Sequence, residues 1–118
     1  DDLLTREALT ELHGYSQHGF HFRTIRSGGY LGCFPSDGAT HPLLLQLVND
    51  LVEASPTIFG AYALSLWWLF KYSEHGKGGI GLHADPAKVN VNLWLTPDEA
   101  WRQGGGLLVY KHVPPLEQ

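Results

Sequence analysis

The sequence predicts an α+β domain in which helices come first and antiparallel strands follow. Three observations predict it. An apolar stripe at helical spacing runs through residues 42–55. After Pro56, short apolar segments rich in aromatic and β-branched residues alternate with glycine-rich turns, the pattern of a sandwich or jelly roll. The chain has 118 residues, 43% of them apolar and 17% charged, which suits one compact core.

Each element has its own signal. Thr5 can cap a first helix whose Leu9 and Leu12 face the core. "GFHFRTIRSGGYLGCFP" reads as extended segments broken at Ser27-Gly28-Gly29, and "SDGATHP" as a turn leading into a helix. Pro42 suits a first helical position, where its missing N–H costs nothing. Leu43, Leu44, Leu47, Val48, Leu51 and Val52 then form one apolar face, opposite Gln46, Asn49, Asp50 and Glu53. Pro56 is expected to stop this helix. Everything beyond it reads as β structure: "AYALSLWWLFKYS" as a strand, "HGKGG" as a turn, "IGLHAD" as a short strand, 88–95 as a strand, "TPDEAWRQGGG" as a loop and "LLVYKHV" as a final strand.

Several function classes are disfavoured. The formal net charge is −4 and the basic residues are scattered, so nucleic acid is not expected as a partner. Cys33 is the single cysteine, which excludes a disulfide framework and a cysteine-based zinc site. Its free thiol fits a reducing, cytoplasmic compartment. The start "DDLLTREALTEL" is acidic and helical in pattern, unlike a signal peptide. The longest apolar run, around 61–70, is too short to span a membrane.

The chemistry-bearing stretch is "GIGLHADPAKVNVNLWLTP". In a strand, residues two apart share a face, so His83 and Asp85 would aim an imidazole and a carboxylate at one point. With another histidine they would make the two-histidine, one-carboxylate triad of non-haem Fe(II) oxygenases. The competing reading is the polar rim of a loop with an Asp-Pro turn. Downstream, Val89, Val91, Leu93 and Leu95 would share a face that packs on the 42–55 helix. Asn90, Asn92 and Trp94 would line a polar cavity beside His83 and Asp85, or else face solvent.

The order "FKYSEHGKGGIGLHAD", "VNVNLWLTPDEA", "GGGLLVY" resembles the 2-oxoglutarate- and Fe(II)-dependent dioxygenases, near their prolyl-hydroxylase-like branch. Tyr72 stands eleven residues before His83, close to that family's tyrosine, and Gly104, Gly105 and Gly106 stand where its glycine pair does. The likeness extends back through the Gly29-Tyr30-Leu31-Gly32 segment and the Pro42 helix, and so covers most of the chain. The resemblance implies a double-stranded β-helix, or jelly roll, with N-terminal helices packed on the larger sheet. It implies one domain over 1–118, with 1–56 as helical and extended support and 57–118 as a partial jelly-roll core. His83 and Asp85 become iron ligands, and Tyr72 and Asn92 face the 2-oxoglutarate pocket. Fe(II) and 2-oxoglutarate are the implied cofactors, and the substrate is an unidentified small molecule or peptide.

The family also carries a later strand with a second histidine, followed by an Arg or Lys that pairs with 2-oxoglutarate. This sequence reaches Gln118 without them. The expectation is therefore a C-terminally truncated member, inactive or nearly so on its own, whose incomplete jelly roll exposes a sheet edge and favours a homo-oligomer. His112, the one histidine after Asp85, reads as a surface residue at a strand end, and Lys111 as opposite in phase to it. His41 reads as a helix-start residue, His75 as a turn residue and Cys33 as a buried thiol. The rival functional classes are a non-catalytic jelly-roll module that binds a ligand or serves a structural role and, ranked below it, a cupin-like metalloenzyme.

Overall fold

The structure is a computed structural model and describes residues 3–19, 21–26, 28–72, 80–100, 103 and 106–112. It is α+β, with helices around a small antiparallel sheet of three strands.

Helix α1 (Arg6–His18) begins where expected: Thr5 Oγ1 accepts the Ala8 N–H at 3.2 Å. Leu12 is fully buried and Leu9 half-buried, so the α1 stripe faces the core. Strands β1 (Thr24–Ile25) and β2 (Tyr30–Cys33) pair antiparallel, with Thr24 opposite Gly32 and Ile25 opposite Leu31. Gly29 turns the chain between them at φ 78°, a left-handed conformation that favours glycine. A 3₁₀ turn at Pro35–Asp37 follows, in which Asp37 Oδ2 accepts the Phe34 N–H at 3.0 Å. Gly38, at φ 102°, reverses the chain toward α2.

Helix α2 (Pro42–Ala54) is capped by His41, whose Nδ1 accepts the Leu43 N–H at 3.2 Å. Leu47 is buried, and Leu43, Leu44, Val48 and Leu51 are half-buried. Val52, expected on the inner face, lies exposed. Pro56 does not begin a β region. It is the first residue of a one-turn helix, α3 (Pro56–Phe59), because the fixed φ and absent N–H that bar proline from a helix interior suit a helix start.

Strand β3 (Leu69–Tyr72) completes the sheet beside β2, pairing Tyr30 with Tyr72, Leu31 with Lys71, Gly32 with Phe70 and Cys33 with Leu69. It is shorter than the strand expected over 61–73, since residues 62–68 join no ladder and Ser73 lies outside the described residues. The aromatic pairs explain the register: Tyr30 meets Phe70 edge-on at 5.0 Å and Tyr72 at 5.2 Å.

The core sits where α1, β2 and α2 converge, on Leu12, Cys33, Ala39 and Leu47. Long-range hydrogen bonds tie it together. Tyr15 Oη donates to the Gly38 carbonyl at 2.7 Å, and Trp67 Nε1 to the Ala39 carbonyl at 2.8 Å. Lys71 Nζ reaches the α1 carbonyls of Ser16 and Gln17 at 3.2 and 2.9 Å. That places a cation at the negative end of α1 and satisfies two carbonyls that have no helical partner.

The 80–112 region differs from its expected strands. Among its described residues no strand forms, and the one regular piece is a 3₁₀ turn at Asp98–Ala100. Val89, Val91 and Leu93 are exposed, so the expected packing of this face on α2 is not seen. A strand needs a neighbour to take its N–H and C=O groups, and no described segment lies in register with 88–95. The final expected strand runs exposed and unladdered through Leu107–Tyr110 as well, with Leu108 and Val109 each 82% exposed. The "HGKGG" turn, with His75, lies outside the described residues, as do Gly104 and Gly105. Among the described residues no helix is long and apolar enough to cross a membrane.

Candidate functional site

His83 and Asp85 lie near each other on an irregular segment, not on the strand from which their shared face was expected. His83 Nε2 lies 3.7 Å from Asp85 Oδ1. The local chain explains how. The Ala87 N–H donates to the Asp85 carbonyl at 2.8 Å, closing a three-residue turn around Pro86. Proline's fixed φ is close to what such a turn requires at its centre. The Asp-Pro turn therefore fixes the Asp85 backbone, and the segment is the exposed loop with an Asp-Pro turn that the competing reading expects.

The surrounding hydrogen bonds complete the arrangement. His83 Nδ1 lies 2.8 Å from the Gly81 carbonyl, a contact in which the ring nitrogen must donate. In the neutral ring this leaves Nε2 with its lone pair, on the side of the ring toward Asp85. Asn90 Nδ2 donates to Asp85 Oδ2, leaving Oδ1 toward the histidine. A ring nitrogen whose partner nitrogen donates to a carbonyl, beside a carboxylate held by a second residue, is the outer-shell pattern of metal ligands. Metal–ligand bonds to such atoms are about 2.0–2.2 Å, so two donors on one ion stand no more than about 4.3 Å apart. The observed 3.7 Å lies below that collinear limit and above the roughly 3 Å between adjacent donors on an octahedral ion, so a bound ion would draw the two side chains closer together. The donor set fits a divalent cation that takes nitrogen and oxygen. The pair is open, with the His83 side chain 51% and the Asp85 side chain 24% exposed. Among the described residues no group of three or more His, Cys, Asp and Glu side chains is placed to hold a metal ion.

The other predicted residues fall elsewhere. Asn92 is exposed, and it is Asn90 that touches the acid. Both asparagines sit on the same alternation phase, and spacing alone did not distinguish them. Tyr72 lies at the end of β3 against Tyr30, on a groove of about 290 Å³ lined by Ile25, Gly29, Tyr30, Leu31 and Lys71. Burial, and then the neighbouring Tyr30, push the Tyr72 phenol above its ordinary pKa of 10.0. It therefore stays protonated and able to donate a hydrogen bond at neutral pH. Trp94 is 60% exposed, and His112 and Lys111 are exposed in a bend. Cys33 is the buried thiol expected; burial, then Asp37, raise its pKa and hold it unreactive.

Residues that the sequence did not mark include His21, buried at 9% exposure and stacked on Tyr15, and Lys71, the clamp on α1. Their only sequence signal was a histidine and a lysine inside otherwise apolar segments.

No family model, curated protein or solved structure matches this chain.

Proposed function

We propose that this chain carries the proximal ligand pair of a 2-oxoglutarate- and Fe(II)-dependent oxygenase of double-stranded β-helix fold, acting on a small-molecule or peptide substrate in the cytoplasm. One observation carries the reading: His83 Nε2 faces Asp85 Oδ1 at 3.7 Å while the Gly81 carbonyl engages the opposite ring nitrogen. The resemblance of "GLHAD…VNVNLWLT…GGGLLVY" to that family supports it independently. In this reading His83 and Asp85 hold the metal and Asn90 fixes the carboxylate's rotation, while Tyr72, on its own groove beside Tyr30, is not brought to them. Bound Fe(II) with 2-oxoglutarate supplies oxygen activation for hydroxylation. Two protein donors hold such an ion weakly, so catalysis by the 118-residue chain is expected to be negligible.

Among the described residues β3 is an edge strand, and with the exposed apolar residues Val91, Leu93, Leu107 and Leu108 it supports self-association. A clean monomer on size-exclusion chromatography at high concentration counts against it.

The groove beside Tyr72 favours a second reading, a ligand-binding module without chemistry. Calorimetric titration separates the two. Fe(II) binding under anaerobic conditions that His83→Ala abolishes supports the oxygenase reading. Binding of small carboxylates that ignores both metal and His83→Ala supports the module and overturns the first reading.

A further inference from the structure

His21, like the Cys33 thiol, is a buried titratable group that the proposed site does not use. Its ring stacks on Tyr15 at 4.2 Å, and Tyr15 is itself anchored to the Gly38 carbonyl. Gly19 closes against the same ring: a Cβ built there would stand 1.8 Å from His21 Cε1. Gly38 covers the ring's root, where a Cβ would stand 3.6 Å from His21 Cβ. His21 Nε2 is buried with no hydrogen-bond partner, as is Ser16 Oγ on the last turns of α1.

We infer that His21 is a pH-sensitive latch: the neutral ring, wedged between Tyr15 and Gly19, holds the C-terminal end of α1 against the sheet, and protonation releases it.

The argument is one of charge without a partner. Protonating the ring places a cation whose Nε2 has no hydrogen-bond partner, where no carboxylate among the described residues pairs with it. From α1 it meets the neutral Tyr15 phenol. From β3 it meets Lys71, already a cation and already bound to the Ser16 and Gln17 carbonyls. Of the nearby acids, Asp37 accepts the Phe34 N–H and Glu11 lies 3.5 Å from His41 Nε2 at the start of α2. The Cys33 thiol on β2 is held neutral by burial. A buried cation in this setting destabilises the packing that created it.

The sign follows. Burial, then Lys71, lower the His21 pKa below the ordinary 6.5. The folded state therefore prefers the neutral ring. Its contribution is fully present above about pH 6.5 and is lost as pH falls from there through the folded-state value. The loss is local. Gly19 ends α1 by donating its N–H to the Tyr15 carbonyl, so a displaced His21 ring pulls directly on the last turn.

The test is amide hydrogen exchange of the 118-residue chain by NMR, corrected for intrinsic rates, with the His21 ring titrated in the same samples. Protection of the 14–18 amides is expected to fall roughly tenfold between about pH 7.5 and about pH 5, tracking a His21 titration below the ordinary value. His21→Phe, which keeps the stack without the proton, is expected to abolish this dependence, and His13→Gln to leave it intact. Unchanged protection across that range in the natural sequence overturns the inference without any variant. Persistence of the pH dependence in His21→Phe also overturns it.

Discussion

His83 Nε2 and Asp85 Oδ1 stand 3.7 Å apart just before an Asp-Pro turn, with the other ring nitrogen and the other carboxylate oxygen already engaged. The two free atoms are the ones a cation would use. Mn(II), as a paramagnetic probe, is therefore expected to broaden the NMR signals of His83, Asp85 and Asn90 first. His83→Ala and Asp85→Ala are each expected to weaken binding by at least about tenfold. Broadening centred on any other histidine sinks the assignment.

Asn90 tests whether the pair is supported or accidental. It donates to the Asp85 oxygen turned away from His83. Loss of such a support costs about 10–100-fold in metal affinity. The pair is open to solvent, so Asn90→Ala is expected near the lower end, and Asn92→Ala near no effect. Calorimetry on the two variants decides. Equal effects, or a larger one from Asn92→Ala, would remove Asn90 from the site.

The contrast between these two asparagines shows what was legible. Local signals read well: Thr5 capping α1, His41 with Pro42 opening α2, and the Gly29 turn all follow from residue chemistry within a few positions. His83 and Asp85 stand close, but without the strand whose alternation was the reason to expect it. Signals that depend on a neighbour did not carry. Residues 88–95 have strand periodicity, yet periodicity describes a face and does not supply the ladder that face requires. Pro56 does end α2 as expected, but the chain beyond it opens with a one-turn helix and not with β structure, because proline suits a helix start as well as a helix stop. His21 could not be found at all, since its burial depends on Tyr15, Gly19 and Gly38 meeting in space.

Tyr30 and Tyr72 face each other across β2 and β3 with ring centroids 5.2 Å apart. Burial and this neighbour raise the Tyr72 pKa. A group whose folded pKa is raised contributes stability below the unfolded value and loses it as pH climbs. The sheet is thus expected to be insensitive to Tyr72 up to about pH 10 and to weaken above it. Absorbance titration of the phenolates is expected to show a late-ionising tyrosine. Tyr30→Phe should bring its transition down toward the ordinary value without abolishing the shift, because burial is the larger cause. A Tyr72 that titrates normally in the natural sequence refutes the contact.

Two glycines on one helix should respond to alanine with opposite sign. Gly14 lies inside α1, where an added Cβ would meet nothing within 4 Å. Gly14→Ala relieves the entropic cost of a helical glycine and is expected to stabilise the chain by about 0.5–1 kcal/mol. Gly19, at the end of the same helix, has a φ of −69° that alanine adopts freely. Its backbone therefore gives no reason for glycine. The His21 ring does, since the new methyl would fall 1.8 Å from Cε1. The ring is fixed on its other side by Tyr15 and cannot move without breaking that stack. Gly19→Ala is expected to cost about 1–3 kcal/mol, as overpacking does, and to expose His21. Urea unfolding of the two variants, with the His21 ring titration alongside, measures both effects. A neutral Gly19→Ala with an unshifted His21 pKa would show that the ring is not wedged.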